Sequence, residues 1–498
     1  MQARDGIAEP AAGGSRGWRF VLLAPPTVQG IRFLAKLALA AFLLPEELGQ
    51  AMLALLVILG ASQLALLGLD EGLVYAPRLT RALWRRLEHT HHASGAVVSV
   101  LCALAGWALA ARSSDPQLGR MLMAFAPMVW LANTSVLPTA LLVRERAYRL
   151  VFLVDVFAVV AFSTTTIALA ATGAGAWSLV GGWYANAIVT VLVSRHFARP
   201  LLPQEQEGSE EVAPILRYGA HLTGAGLLNF LSERLDSFLV GGVLGTAMLG
   251  VYELGRHIAQ WSENFFQSLA ERGLFPVLAA RHREQRLAEG YHESLRAGFV
   301  FAVPLNVLLC FLAIPAISTI YTGWLGRPAW EPAGPLLSVL ALAAGARCVE
   351  LAPQTALKAA GHSRIVLMLG AIKLLLLAIV LPLCLSHGVR TVALGMLGVR
   401  TAGALATWVA ASLRPELARS DQSRWPPGLA ACLLWSAAFA PAALWITARF
   451  GEHAPQLLLI LPPLALFLWG AVRFAVDRRA FLRDWSLVSM RISRGKPR

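Results

Sequence analysis

Ionisable side chains spaced three and four residues apart inside otherwise apolar segments are the chemistry this sequence offers. Residues 217–267 read RYGAHLTGAGLLNFLSERLDSFLVGGVLGTAMLGVYELGRHIAQWSENFFQ. They hold two apolar helical segments joined by the short turn GGVLGTAMLG. The first carries Glu233, Arg234 and Asp236, the second Glu253, Arg256 and Glu263. Glu253, Arg256, Gln260, Glu263, Asn264 and Gln267 fall on one helical stripe. Elsewhere Arg32 and Lys36 stand one turn apart, and Arg347, Glu350, Gln354 and Lys358 form a second stripe. Lys373 and Arg400 lie within later apolar runs. A charge at membrane depth costs a few kcal/mol against lipid, roughly 3 on insertion scales, so such groups face protein or a wet interior. Salt bridging or snorkelling accounts best for Arg32 and Lys358, near span ends, and less well for Arg234, Arg256, Arg347 and Arg400. The cations outnumber the resident acids Asp155, Glu233, Asp236, Glu253, Glu263 and Glu350. An arginine-rich interior suits an anionic substrate, and a phosphate group matches the planar guanidinium fork best.

Positioning these groups requires a membrane protein. Of 498 residues, 57% are hydrophobic and only 14% charged, with mean hydropathy +0.60; soluble chains carry about 25% charge. At about 20 apolar residues per span, fourteen spans are expected: 28–44, 50–69, 94–111, 119–142, 150–171, 176–194, 218–243, 247–270, 297–320, 335–353, 365–386, 391–413, 428–449 and 456–475. With the N-terminus in the cytoplasm, 31 of the 43 Lys and Arg fall in inner segments, 5 in outer loops and 7 within spans. Such a bias fits positive-inside topology with both termini cytoplasmic. It also explains the net charge of +14 without nucleic acid, for which no basic–aromatic motif is present.

The expected organisation is all-α: a tail at 1–27, a first lobe of six spans at 28–194, a linker at 195–217, a second lobe of six spans at 218–413, two further spans within 414–475 and a basic tail at 476–498. LLPEELG (43–49) and LGTAMLG (244–250) are matching outward turns in the two halves, as in duplicated transporters. The N-terminal MQARDGIAEPAAGGSRGWRF has no cleavable-signal pattern, so the first span is expected to remain as an anchor.

Enzyme signatures are missing: no GxxxxGK[ST], GxSxG or HExxH occurs, and GAGAWSLVGG (173–182) fits no phosphate cradle. The chain is therefore expected not to be an enzyme and to need no cofactor. Cys102, Cys310, Cys348, Cys384 and Cys432 are isolated in apolar segments and read as core residues. His89, His91 and His92 read as an interfacial polar stretch rather than a metal site. Prolines within spans, Pro127, Pro304, Pro315 and Pro382 among them, permit kinks.

The series LPEELGQAML (44–53), LLVRERAY (141–148), GAGAWSLVGG, Asn229 and Asp236 before VGGVLG, LGVYELG, LFPVLAA (274–280) and ALKAAGHSR (356–364) runs in order over about residues 28–413. It resembles the O-antigen and capsule flippases of the multidrug/oligosaccharidyl-lipid/polysaccharide exporter superfamily. That resemblance implies two six-helix lobes around a cationic cavity in a bacterial inner membrane. The implied substrate is an undecaprenyl-diphosphate-linked oligosaccharide, moved from the inner to the outer leaflet by alternating access. Membrane lipids and other polysaccharide-assembly proteins are the remaining expected partners. Candidate diphosphate contacts are Arg256, Arg347, Arg400, Arg234, Lys373, Arg32 and Lys36. Candidate coupling or gating residues are Asp236, Glu253, Asp155 and Asn229, with H+ or Na+ as the coupling ion. The alternative is a cation-coupled multidrug or small-molecule exporter of the same superfamily; for cationic drugs it would require a net acidic cavity.

Overall fold

Each of the twelve spans expected over 28–413 is helical in the computed structural model, which describes residues 14–75, 79–112, 116–202 and 212–417. The spans expected at 428–449 and 456–475 and the basic tail lie outside the described residues. No strand occurs among those described.

The first lobe contains α1 (Gly14–Phe42), α2 (Pro45–Leu66), α3 (Leu69–Tyr75), α4 (Arg81–Arg112), α5 (Gln117–Arg144), α6 (Tyr148–Ala171) and α7 (Trp177–Ala198). The second contains α8 (Val212–Leu239), α9 (Thr246–Leu269), α10 (Phe275–Arg283), α11 (Leu287–Ala297), α12 (Val303–Ile317), α13 (Ala333–Ala359), α14 (Ser363–Leu385) and α15 (Val389–Ser412). Helix α1 starts at Gly14, within the expected tail, and α8 at Val212, within the expected linker. The short α3 and the α10–α11 hairpin are helices that fall between the expected spans. The hairpin has its own apolar face, where Leu278, Leu287, Tyr291 and Leu295 pack on Ala352, Ala356 and Leu357.

Nine helical segments among the described residues are long and apolar enough to cross a membrane. The three other long helices, α1, α8 and α9, carry Arg32, Lys36, Glu233, Arg234, Asp236, Glu253, Arg256 and Glu263. Their polarity is tolerated because they meet other helices. Within the first lobe α4 packs on α5, α6 on α7 and α1 on α6; within the second α13 packs on α9, α12 and α15. The lobes join through α2 against α8 and α9, α1 against α9, and α3 against α8.

Helix α2 begins sharply. Pro45 occupies the first helical position, where no backbone donor is needed, and the Glu47 carboxylate accepts from the Leu44 N–H at 2.8 Å. The fifth residue of α2 is Gly49 and the fifth of α9 is Gly250. A β-carbon on Gly49 would collide with the Thr246 carbonyl that opens α9, and one on Gly250 with the Pro45 carbonyl that opens α2. The two helices thus clasp reciprocally, backbone on backbone, as only paired glycines allow. This is the structural form of the sequence echo between the two turns. At the other end of α2, Gly68 meets Gly219 of α8 equally closely, so the lobes touch at both ends of α2.

Second-lobe charges and the contact between lobes

Two charged groups emerge. The larger lies inside the second lobe. Helices α8 and α9 face each other so that Asp236 and Ser237 meet Tyr252, Glu253 and Arg256. Arg256 Nε lies 3.2 Å from Asp236 Oδ2, and its Nη1 3.5 Å from Glu253 Oε1. Tyr252 Oη donates to Asp236 Oδ2 at 2.7 Å. Ser237 Oγ donates to Glu253 and accepts from Arg256 Nη1 at 3.2 Å, while Arg256 Nη2 donates to the Glu233 carbonyl. Arg234 stands at the margin, 4.0 Å from Glu253.

Two turns further along α9 the pattern continues. Arg400 on α15 donates to Glu263 at 2.6 Å, and Arg347 on α13 lies 3.8 Å from the same carboxylate. Arg347 also pairs with Glu350 at 3.0 Å and donates to Gln354 at 3.1 Å. Lys373 on α14 donates to both Glu350 oxygens, at 3.2 and 3.3 Å, and Thr407 to one of them at 3.4 Å. Asp236, Glu253, Glu263 and Glu350 therefore balance Arg256, Arg347, Arg400 and Lys373. The whole forms one seam joining α8, α9, α13, α14 and α15. A narrow crevice lined by Asp236, Arg256, Gln260, Glu263 and Arg400 runs beside it. Asp236 Oδ1 is buried with no protein partner.

The second group lies where the lobes meet. Lys36 Nζ of α1 is 3.3 Å from His257 Nδ1 of α9, and Lys36 has no carboxylate within ion-pair distance among the described residues. Arg32, one turn earlier, lies within electrostatic reach of Asp155 on α6. The Phe33 ring sits 5.9 Å from both His257 and Trp261.

This division could not be read from depth alone. Arg256, Arg347, Arg400 and Lys373 are not free cavity cations in this arrangement; each is held by a carboxylate. Apolar neighbours along one helix say nothing of the acid on the next, and a buried cation without one would be too costly. Outside the balanced set stand Arg32, near Asp155, the marginal Arg234, near Glu253, and Lys36, which meets a histidine. Asp236 and Glu253 sit at the centre of the seam. Asn229 is exposed and donates to Glu233, on its own helix, at 3.4 Å, and Asp155 is exposed on α6, within electrostatic reach of Arg32.

Sequence reasoning missed Ser237, Tyr252 and His257, whose roles depend on which helix faces which. Glu263 and Glu350 were visible as stripe residues and prove to be the anions that bind α9, α13, α14 and α15 together. Of the histidines, His92 approaches Glu88 at 3.8 Å and Arg195 at 3.2 Å, while His91 is buried. No cluster able to hold a metal occurs among the described residues.

The fold is that of the exporter superfamily. The solved structure of the lipid II flippase MurJ in an inward closed conformation superposes with a TM-score of 0.71 over 93% of this chain and 98% of its own, at 11% identity. An inward-facing multidrug transporter of the MATE family gives 0.58 over 78% and 96%, at 15% identity. In sequence, the chain is 21% identical over 328 residues to the lipopolysaccharide biosynthesis protein WzxC of Escherichia coli K12, covering 65% of each chain. It is 23% identical over 340 residues to the succinoglycan biosynthesis transport protein ExoT of Rhizobium meliloti, covering 66% of this chain and 65% of that one. The chain thus spans just under two thirds of the length of these relatives. This is a multi-pass membrane protein, and the match of residues 38–326 to the family described as polysaccharide biosynthesis protein means that the chain belongs to that family.

Proposed function

We propose that the protein is a flippase that moves a polyprenyl-diphosphate-linked oligosaccharide from the inner to the outer leaflet of a bacterial inner membrane, with both termini cytoplasmic. The observation that carries this reading is Lys36 at the lobe contact, with Arg32 one turn away and no carboxylate within ion-pair distance of Lys36 among the described residues, in a chain of a polysaccharide biosynthesis family. The names of WzxC, ExoT and MurJ support the same substrate class. No bond is made or broken: Arg32 and Lys36, with Arg234 at the margin, hold the diphosphate, and the polyprenyl tail stays in lipid. Alternating access requires the Gly49–Gly250 clasp and the Gly68–Gly219 contact to part in turn. The paired seam keeps the second lobe rigid while they do so. Asp236, whose Oδ1 is unsatisfied beside the crevice, takes up the coupling H+ or Na+, with Glu253 as its neighbour across Arg256.

The test uses cells that lack the gene and are complemented with variants. Arg32→Ala and Lys36→Ala are expected to be present in the membrane at normal abundance, to abolish surface polysaccharide, and to accumulate its lipid-linked precursor on the cytoplasmic side. Normal export by both variants would overturn the reading. Loss of resistance to cationic drugs, with export intact, would indicate the multidrug alternative.

A further inference from the structure

The α1–α9 contact contains a donor and a set of rings that the seam does not use. An ammonium group has no lone pair, so in the 3.3 Å contact Lys36 donates and His257 Nδ1 accepts. The neutral imidazole therefore carries its proton on Nε2. That N–H is buried and has no acceptor in the protein. A buried donor left unmatched is unfavourable, and an acceptor that arrives there gains the whole difference. The charges acting most strongly on His257 come from Lys36, Arg32, Arg234 and Arg256, all positive. An anion is the acceptor that suits this field.

The rings follow directly. His257, Trp261 and Phe265 recur every four residues on one stripe of α9. Trp261 and Phe265 stack at 6.3 Å with 16° between planes. Phe33 packs at 5.9 Å on Trp261. Trp261 and Phe265 are 38% and 36% exposed, so a ligand can reach their faces. Aromatic stripes on membrane helices usually serve packing. Here the stripe begins at an unmatched donor, which packing does not explain.

We propose that this contact is the seat for the sugar-proximal end of the substrate. Lys36 and His257 Nε2–H bind oxygen atoms of the phosphate nearest the sugar, and Trp261 with Phe265 supplies a shelf for the first sugar ring. The proposal rests on the flippase reading and adds to it His257, Trp261 and the position of the first sugar. Lys36 and His257 belong to different lobes, so an occupied seat bridges them.

Binding to purified protein in lipid nanodiscs tests the seat with two probes, farnesyl diphosphate and the same lipid diphosphate bearing one hexose. His257→Leu is expected to weaken both probes about tenfold. His257→Gln, which restores an N–H near the Nε2 position, should recover most of that loss. Trp261→Ala should weaken the hexose-bearing probe about tenfold and leave farnesyl diphosphate unchanged. Equal binding by the parent and His257→Leu would overturn the donor assignment, and an equal effect of Trp261→Ala on both probes would overturn the shelf. Either result leaves the flippase reading standing. If the parent protein binds neither probe, that reading fails and the seat fails with it.

Discussion

Arg256 shows what one buried charge does in this lobe. Its guanidinium touches Asp236, Glu253, Ser237 and the Glu233 carbonyl, and it is 4% exposed. Removing it leaves buried Asp236 with no ion-pair partner among the described residues and Glu253 with only the marginal Arg234, a loss of about 3–5 kcal/mol. Arg256→Ala is therefore expected to lower membrane abundance and the melting temperature in detergent. Adding Asp236→Asn removes one of the stranded charges and should restore part of the loss. A phosphate ligand would behave in the opposite way, with normal abundance, no export and no rescue. Measuring abundance and melting for the single and double variants separates the two, and a stable Arg256→Ala would refute the structural role assigned here.

Helices α2 and α9 are joined by geometry rather than charge. The approach of Gly49 to Thr246 and of Gly250 to Pro45 leaves no space for a methyl group on either glycine. Any side chain there holds the helix starts apart, because backbone carbonyls cannot yield as a flexible side chain would. Gly49→Val and Gly250→Val are each expected to stop export by preventing closure at this end of α2. Gly398→Ala on α15, where a β-carbon meets open space, should export normally. Surface polysaccharide measured together with membrane abundance checks this. Normal export by Gly49→Val would mean that the clasp need not close during transport.

For the molecule as a whole, the decisive quantity is which side of the membrane each loop occupies. Twelve spans over 28–413 place the 195–212 linker and the 321–334 loop on opposite sides. Single cysteines in these two segments, in an otherwise cysteine-free chain, are expected to react with an impermeant thiol reagent from opposite faces. Labelling from the same face would invalidate the topology and, with it, the direction of transport.

Apolar run length suffices to define the nine described helices that are long and apolar enough to cross a membrane, and their order. These features follow from the cost of backbone and charge in lipid, which acts on each segment separately. The depth of Arg256, Arg347 and Arg400 was equally legible, and so was the common face of Glu253, Arg256 and Glu263. Their partners were not. A helix's sequence gives the face and the depth of a side chain, whereas pairing depends on which face of another helix lies opposite. Only tertiary structure brought Glu263 of α9 between Arg347 of α13 and Arg400 of α15. It also set Lys36 against a histidine instead of an acid, at the contact between lobes.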